Sequence, residues 1–302
     1  MQAMAPVLMM MFSLLVPSKI WFAPDQPLTF TIKSDKNVKL ALTDFAGKVI
    51  DPKGNADVPE NKPFDAKEIF PILATPGTYI LYAQAKDETK PVDQGGFMGT
   101  PVVIGVRSDA RRGAPEGPMV IKVEPLRYAV MSTDAGDLTM AFYYDDAPNT
   151  ADNFLRLAEG GYYDGLTFHR IVPGFVIQGG DPRGDGTGGP GYQIDAEFND
   201  RPHKEGVLSM ARSQDPNSAG SQFFVCLDYA NTAQLDRKYT AFGKVMSGMD
   251  AVKKIAATPI SNPNTGTPQT PQKIKSVQVL PVTPDHNPYA QLQKEQQASA
   301  PR

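Results

Sequence analysis

Between residues 19 and 107 the chain alternates apolar and polar positions in short runs divided by Pro, Gly, Asn and Asp. Leu28-Thr-Phe-Thr-Ile-Lys-Ser and Val38-Lys-Leu-Ala-Leu-Thr keep a period of two. That is the pattern of half-buried strands, because successive side chains of an extended backbone point to opposite faces. Asp44-Phe-Ala-Gly-Lys supplies a turn, Thr75-Pro-Gly-Thr-Tyr-Ile-Leu-Tyr-Ala a turn feeding a strand, and Pro101-Val-Val-Ile-Gly-Val-Arg a final strand. Residues 65–73 suggest one short helical turn. Strand-sized pieces punctuated in this way predict a small β-sandwich over the first 118 residues.

The pattern changes at residues 108–118, which are polar and rich in Gly and Pro, as linkers are. Arg111 and Arg112 read there as solvated or protease-exposed. A second unit, 119–283, opens with a hairpin whose strands flank Asp134-Ala-Gly-Asp. Pro148 then starts a helix in which Phe154, Leu155 and Ala158 recur at helical spacing, and Gly160–Gly161 ends it. Strands follow near residues 166–170, 175–178, 206–210, 221–227 and 241–245, with a second helix from Met249 and a late strand from Ile274. Many strands with two helices imply a closed antiparallel barrel plugged by the helices. Residues 284–302, poor in apolar side chains, predict a disordered tail.

Length and charge narrow the function. The 302 residues suit two domains, and a formal net charge of −3 gives no electrostatic support for nucleic-acid binding. The single cysteine, Cys226, sits in an apolar run and reads as a buried small hydrophobe, so no intramolecular disulfide forms. The apolar run within residues 1–16 has the length of a signal-peptide core and is too short to span a bilayer. It reads equally as a first strand or as the product of a misplaced start codon. As a signal it would direct the chain to a bacterial-type envelope or periplasm; otherwise the compartment is cytoplasmic.

Several motifs point nowhere. Gly186-Thr-Gly-Gly-Pro-Gly191 fits a dinucleotide-binding string, but that chemistry needs a helix to begin at its end, and Pro190 followed by extended-looking residues argues for a loop. His169, His203 and His286 lack metal-ligand spacing, no hydrolase elbow occurs, and Asp181, Asp185 and Asp195 are out of register for a calcium loop. No cofactor or metal is expected.

The informative stretch is Phe168-His-Arg-Ile-Val-Pro-Gly-Phe-Val-Ile-Gln-Gly-Gly-Asp181. It combines one Arg, one Gln and large apolar residues without a nucleophile, which suits binding, dehydration and a single cation. Together with Leu208-Ser-Met-Ala-Arg-Ser, Gly220-Ser-Gln-Phe-Phe-Val-Cys and Leu235-Asp-Arg-Lys-Tyr-Thr-Ala-Phe-Gly-Lys-Val, it resembles the cyclophilin-type peptidyl-prolyl isomerases over about residues 126–282. More weakly, the Pro-Gly-Thr-Tyr strand entry resembles that of immunoglobulin-like domains.

The cyclophilin resemblance implies an eight-stranded barrel capped by two helices, rotation about X-Pro bonds in polypeptides, assistance to folding, and a monomer. It implies Arg170, Phe175 and Gln178 as the catalytic set. His169, Val176, Ala211, Arg212, Ser213, Gln222, Phe224, Gln234, Leu235 and Tyr239 are implied as substrate-binding. In that pattern Arg212 acts through its main chain, so its side chain need not be fixed. Gln234 stands where better-known eukaryotic members often carry Trp, so weak cyclosporin binding is expected; Tyr239 replaces a frequent His. A binding module that holds proline-containing segments without turnover is the alternative, against which stands the retention of Arg170 and the pocket aromatics.

Overall fold

A computed structural model of the chain describes residues 14–34, 37–50, 58, 61–108 and 119–299. Residues 1–13 of the N-terminal apolar run, and the 109–118 part of the expected linker with Arg111 and Arg112, lie outside the described residues. The chain divides into two compact units. One runs from Tyr128 to Leu280; the other combines the described residues up to Arg127 with those from Pro281 onward.

The strands of the first unit are β1 (Leu15–Pro17), β2 (Trp21–Phe22), β3 (Thr29–Ile32), β4 (Val38–Asp44), β5 (Val49–Ile50), β6 (Pro63–Asp65), β7 (Gly77–Ala85), β8 (Met98–Ser108) and β9 (Met119–Pro125). They form a three-stranded sheet, β1-β3-β6, and a six-stranded one, β2-β9-β8-β7-β4-β5, all antiparallel. Alternation along the strands puts Leu15, Phe30 and Ile32 of the small sheet into one core with Leu40, Leu42, Leu81, Ile104 and Ile121 of the large one.

Two boundary expectations are corrected. Residues from Met119 pair with β8 from Val102 to Ser108, so this unit's sheet continues to Pro125, and the division falls after Arg127 instead of at 118. The expected disordered tail contains a helix, Pro288–Ser299. Asn287 caps it, its side chain accepting from Tyr289 N at 3.1 Å. Tyr289, Leu292 and Gln293 are buried; Tyr289 packs edge-on against Phe45, and Gln293 donates to the Phe45 carbonyl at 3.3 Å. Three inward positions at i, i+3 and i+4 dock a helix that is otherwise polar, which is why composition misled.

The second unit holds β10 (Arg127–Thr133), β11 (Gly136–Phe142), β12 (Thr167–Phe168), β13 (Arg170–Val172), β14 (Val176–Gly179), β15 (Val207–Met210), β16 (Phe223–Cys226), β17 (Ala241–Ser247), β18 (Ile260–Asn262), β19 (Thr267–Pro268) and β20 (Gln272–Pro281). Nine of these form one nearly closed sheet, in the order β12-β20-β10-β11-β17-β15-β16-β14-β13; β18 and β19 make a separate hairpin. The count exceeds the expected eight because a single residue, His169, separates β12 from β13, and the two pair with different neighbours. The ends of the sheet approach each other at Gly179, where a Cβ would meet the Thr167 carbonyl at 3.2 Å. The helix Pro148–Glu159 plugs the barrel with Phe154, whose ring lies 4.8 Å from Tyr163, 5.4 Å from Phe223 and 5.5 Å from Phe242. Its N-terminus is capped from afar by Glu197, which accepts from Thr150 N and Oγ1, both at 2.7 Å.

Candidate active site

The strand period of two sorts the key motifs. Phe223 points into the barrel core and Phe224 to the opposite, outer face; Ile171 and Ile177 point in, Arg170 and Gln178 out. Register then aligns the outward residues: Arg170 faces Gln178, Gln178 faces Phe224, and Phe224 faces Ser209, a row across β13, β14, β16 and β15. The turn Val172-Pro-Gly-Phe, with Gly174 at φ 71° after Pro173, is the type II arrangement that only glycine takes without strain. It brings Phe175 beside the row.

These residues line an open pocket of ≈ 230 Å³, walled by Arg170, Phe175, Val176, Gln178, Ala211, Arg212, Phe224, Leu235 and Tyr239. That is smaller than the ~300–1,000 Å³ of sites for drug-sized ligands, and suits one small ring. Four expected residues lie outside its lining. Ser213 sits exposed on the neighbouring loop, bonded to Ser218 Oγ at 2.8 Å. Gln234 turns back on its own helical turn, Nε2 to the Asn231 carbonyl at 3.1 Å. The His169 ring is buried, and burial holds its pKa below the ordinary histidine value. Gln222 stands behind Gln178.

The polar side of the pocket is a chain of hydrogen bonds. Arg170 Nη1 donates to Gln178 Oε1 at 3.3 Å, and Gln178 Nε2 donates to Gln222 Oε1 at 3.0 Å. The guanidinium thus rests on an amide oxygen, and among the described residues no carboxylate forms an ion pair with it. The apolar side is a stack of rings. Tyr239 meets Phe224 edge-on at 5.9 Å, and the buried His203 lies parallel to Phe224 at 6.2 Å. His203 is held in turn by Asp236 at Nδ1, 2.9 Å, and Ser209 at Nε2, 3.0 Å. Burial lowers the His203 pKa against the opposing pull of Asp236.

The Arg212 side chain, which a main-chain role leaves unconstrained, is fixed all the same, stacked on Tyr239 at 4.6 Å and donating to the carbonyls of Lys238 at 2.9 Å and Ser213 at 2.8 Å, so it ties together two loops of the wall. The backing residues His203, Ser209 and Asp236 were not singled out for the site; their only signal was a histidine buried beside a strand motif. No helix follows the glycine string; the chain bends at Gly191 and Tyr192 and then reaches an isolated bridge between Ile194 and Ala219. Cys226 is buried, which pushes its thiol pKa well up. Among the described residues there is no cluster of His, Cys, Asp and Glu able to hold a metal, and no helix long and apolar enough to cross a membrane.

Comparison with known proteins agrees with this geometry. Residues 128–279 match the family of cyclophilin type peptidyl-prolyl cis-trans isomerases. A peptidyl-prolyl cis-trans isomerase of Synechococcus elongatus is 51% identical over 116 residues, 38% of this chain and 78% of the relative. Peptidyl-prolyl cis-trans isomerase B of Bacillus subtilis is 46% identical over 125 residues, 41% of this chain and 85% of the relative. Among solved structures, a cyclophilin type isomerase of Cryptosporidium parvum, crystallised in the presence of the dipeptide Ala-Pro, has a TM-score of 0.48 and 33% identity, and covers 51% of this chain and 99% of its own. The fold is that of a cyclophilin-type isomerase. This chain belongs to the cyclophilin-type peptidyl-prolyl cis-trans isomerase family, whose reaction is rotation about X-Pro bonds.

Proposed function

We propose that Arg170 drives this rotation in proline-containing polypeptides, with the proline ring seated between Phe175, Phe224 and Leu235. An X-Pro bond is held planar by a resonance barrier of ~18–20 kcal/mol, and turns unaided in tens of seconds or longer. Rotation returns the lone pair to the prolyl nitrogen, which then accepts a hydrogen bond it could not accept while planar. A cation aimed at that atom stabilises the twisted state and not the ground state. The observation that carries the reading is Arg170 held by Gln178 in a pocket that it shares with Phe175, Phe224 and Leu235, with no ion pair among the described residues to neutralise it.

Magnitudes show that Arg170 does not act alone. A charge-assisted hydrogen bond contributes ~1.5–3 kcal/mol, whereas reaching an ordinary turnover of ~10–1,000 per second needs about 4–7 kcal/mol. The balance comes from drying the amide against the rings and holding the flanking peptide while one side turns. A protease-coupled assay on a short X-Pro peptide tests this: the full chain accelerates exchange. Peptide binding without acceleration would favour a holding module instead.

The finer architecture of the first unit supports an immunoglobulin-like reading. Its small sheet takes β1, β3 and β6, and its large sheet contains β5-β4-β7-β8, an interleaving of chain order with the same Greek-key logic. Tyr79, two residues into β7, sends its hydroxyl back to the Thr75 carbonyl at 3.3 Å and lies 2.9 Å from Thr75 Oγ1, in the manner of a tyrosine corner.

A further inference from the structure

The glycine string, with no helix behind it, has a task of its own. Asp181, which lies ahead of the string, is 1% exposed, and its carboxylate accepts from the backbone N–H groups of Arg183 at 2.8 Å, Asp185 at 3.1 Å and Gly186. The loop closes so tightly over this carboxylate that a Cβ at Gly188 would lie 2.0 Å from Asp181 Oδ1. Closed in this way, the loop turns the carbonyls of Gly186 and Gly188 towards Gln222, whose Nε2 donates to them at 3.0 and 2.9 Å.

The consequence is directional. Both protons of the Gln222 amide are used on the loop, so its Oε1 can only face Gln178 and accept. Gln178 must then donate with Nε2, which leaves its Oε1 towards the guanidinium of Arg170. Reversing Gln222 would set its oxygen against two carbonyl oxygens, and would leave the Gln178 amide protons facing a cation that has only donors. We infer that Asp181 and the loop it closes are positioning elements of the isomerase. Through Gln222 and Gln178 they fix which way the amide chain runs, and so aim Arg170. Neither Asp181 nor Gly188 lines the pocket, so their effect passes through other side chains. The inference rests on the reading of Arg170 as the donor.

The test is a double-mutant cycle in the full chain, with kcat, KM and melting temperature measured for wild type, Arg170→Ala, Asp181→Asn, Gln222→Ala and Asp181→Asn/Gln222→Ala. Asparagine turns an N–H group towards backbone donors and disturbs the loop carbonyls. Asp181→Asn is expected to lower kcat about five- to tenfold with KM changed less than about twofold. In the Gln222→Ala background it should lower kcat no further. A folded Asp181→Asn with wild-type kcat, or losses that multiply, overturns the inference. Should Asp181→Asn fail to fold, Gly188→Ala, which pushes the same carboxylate aside, is expected to show the same pattern, and its wild-type kcat would overturn the inference equally. If Arg170→Ala itself keeps full activity, the reading of Arg170 falls and this inference with it; if Arg170→Ala is impaired and Asp181→Asn is not, only the inference falls.

Discussion

On the Arg170 side of the pocket, polar side chains are held end to end by hydrogen bonds that begin at loop carbonyls. On the Phe224 side, rings are held by packing against one another and against a buried histidine. The two sides therefore fail differently. Losing a polar link misdirects a charge and leaves the fold standing, because partly exposed amides contribute little net stability. Losing a ring opens a cavity in the wall and costs stability as well as binding.

Four measurements sharpen or break this contrast. Phe224→Ala is expected to lower stability by about 3–5 kcal/mol in denaturant unfolding of the second unit, while Gln178→Ala lowers kcat/KM about tenfold and shifts stability by less than about 1 kcal/mol. Equal destabilisation by the two would erase the distinction. Next in size is a pH effect of His203. Because burial depresses its folded-state pKa, the unfolded chain takes up a proton at a pH where the native chain still refuses it. Its contribution is thus complete above about pH 6.5 and is lost as pH falls below that value. His203→Gln should flatten the fall in melting temperature between pH 7 and 5, and an unchanged slope would exclude His203 as the cause.

Gln234 tests whether the apolar wall is complete. It lies exposed and turned back on Asn231, leaving no indole donor, so calorimetry should find cyclosporin binding only weakly; nanomolar affinity would contradict that account. The smallest effect belongs to the first unit, where Tyr79→Phe removes the corner hydroxyl and should lower stability by about 1 kcal/mol.

The pocket was legible in the sequence because its residues lie in long motifs, within which strand alternation separates Phe223 from Phe224 and Ile177 from Gln178. What supports the pocket was less legible. Asp181 showed only that it fails a calcium register, since its partners are backbone N–H groups that no side-chain spacing reveals. His203 and Asp236 are 33 residues apart and meet only in the fold. Outside the site, the polar helix Pro288–Ser299 escaped a reading based on composition, although Asn287-Pro288 carries a helix-start signal.

The proposed role of Arg170 is to act on the twisted amide and not on the planar one. Its decisive test is the exchange rate and ground-state affinity of one X-Pro peptide, measured by NMR on the full chain and on Arg170→Ala. Exchange at saturation on Arg170→Ala is expected to be slower by about ten- to a hundredfold, with the dissociation constant within about threefold of wild type. An unchanged exchange rate, or an affinity that falls as far as the rate, would contradict it.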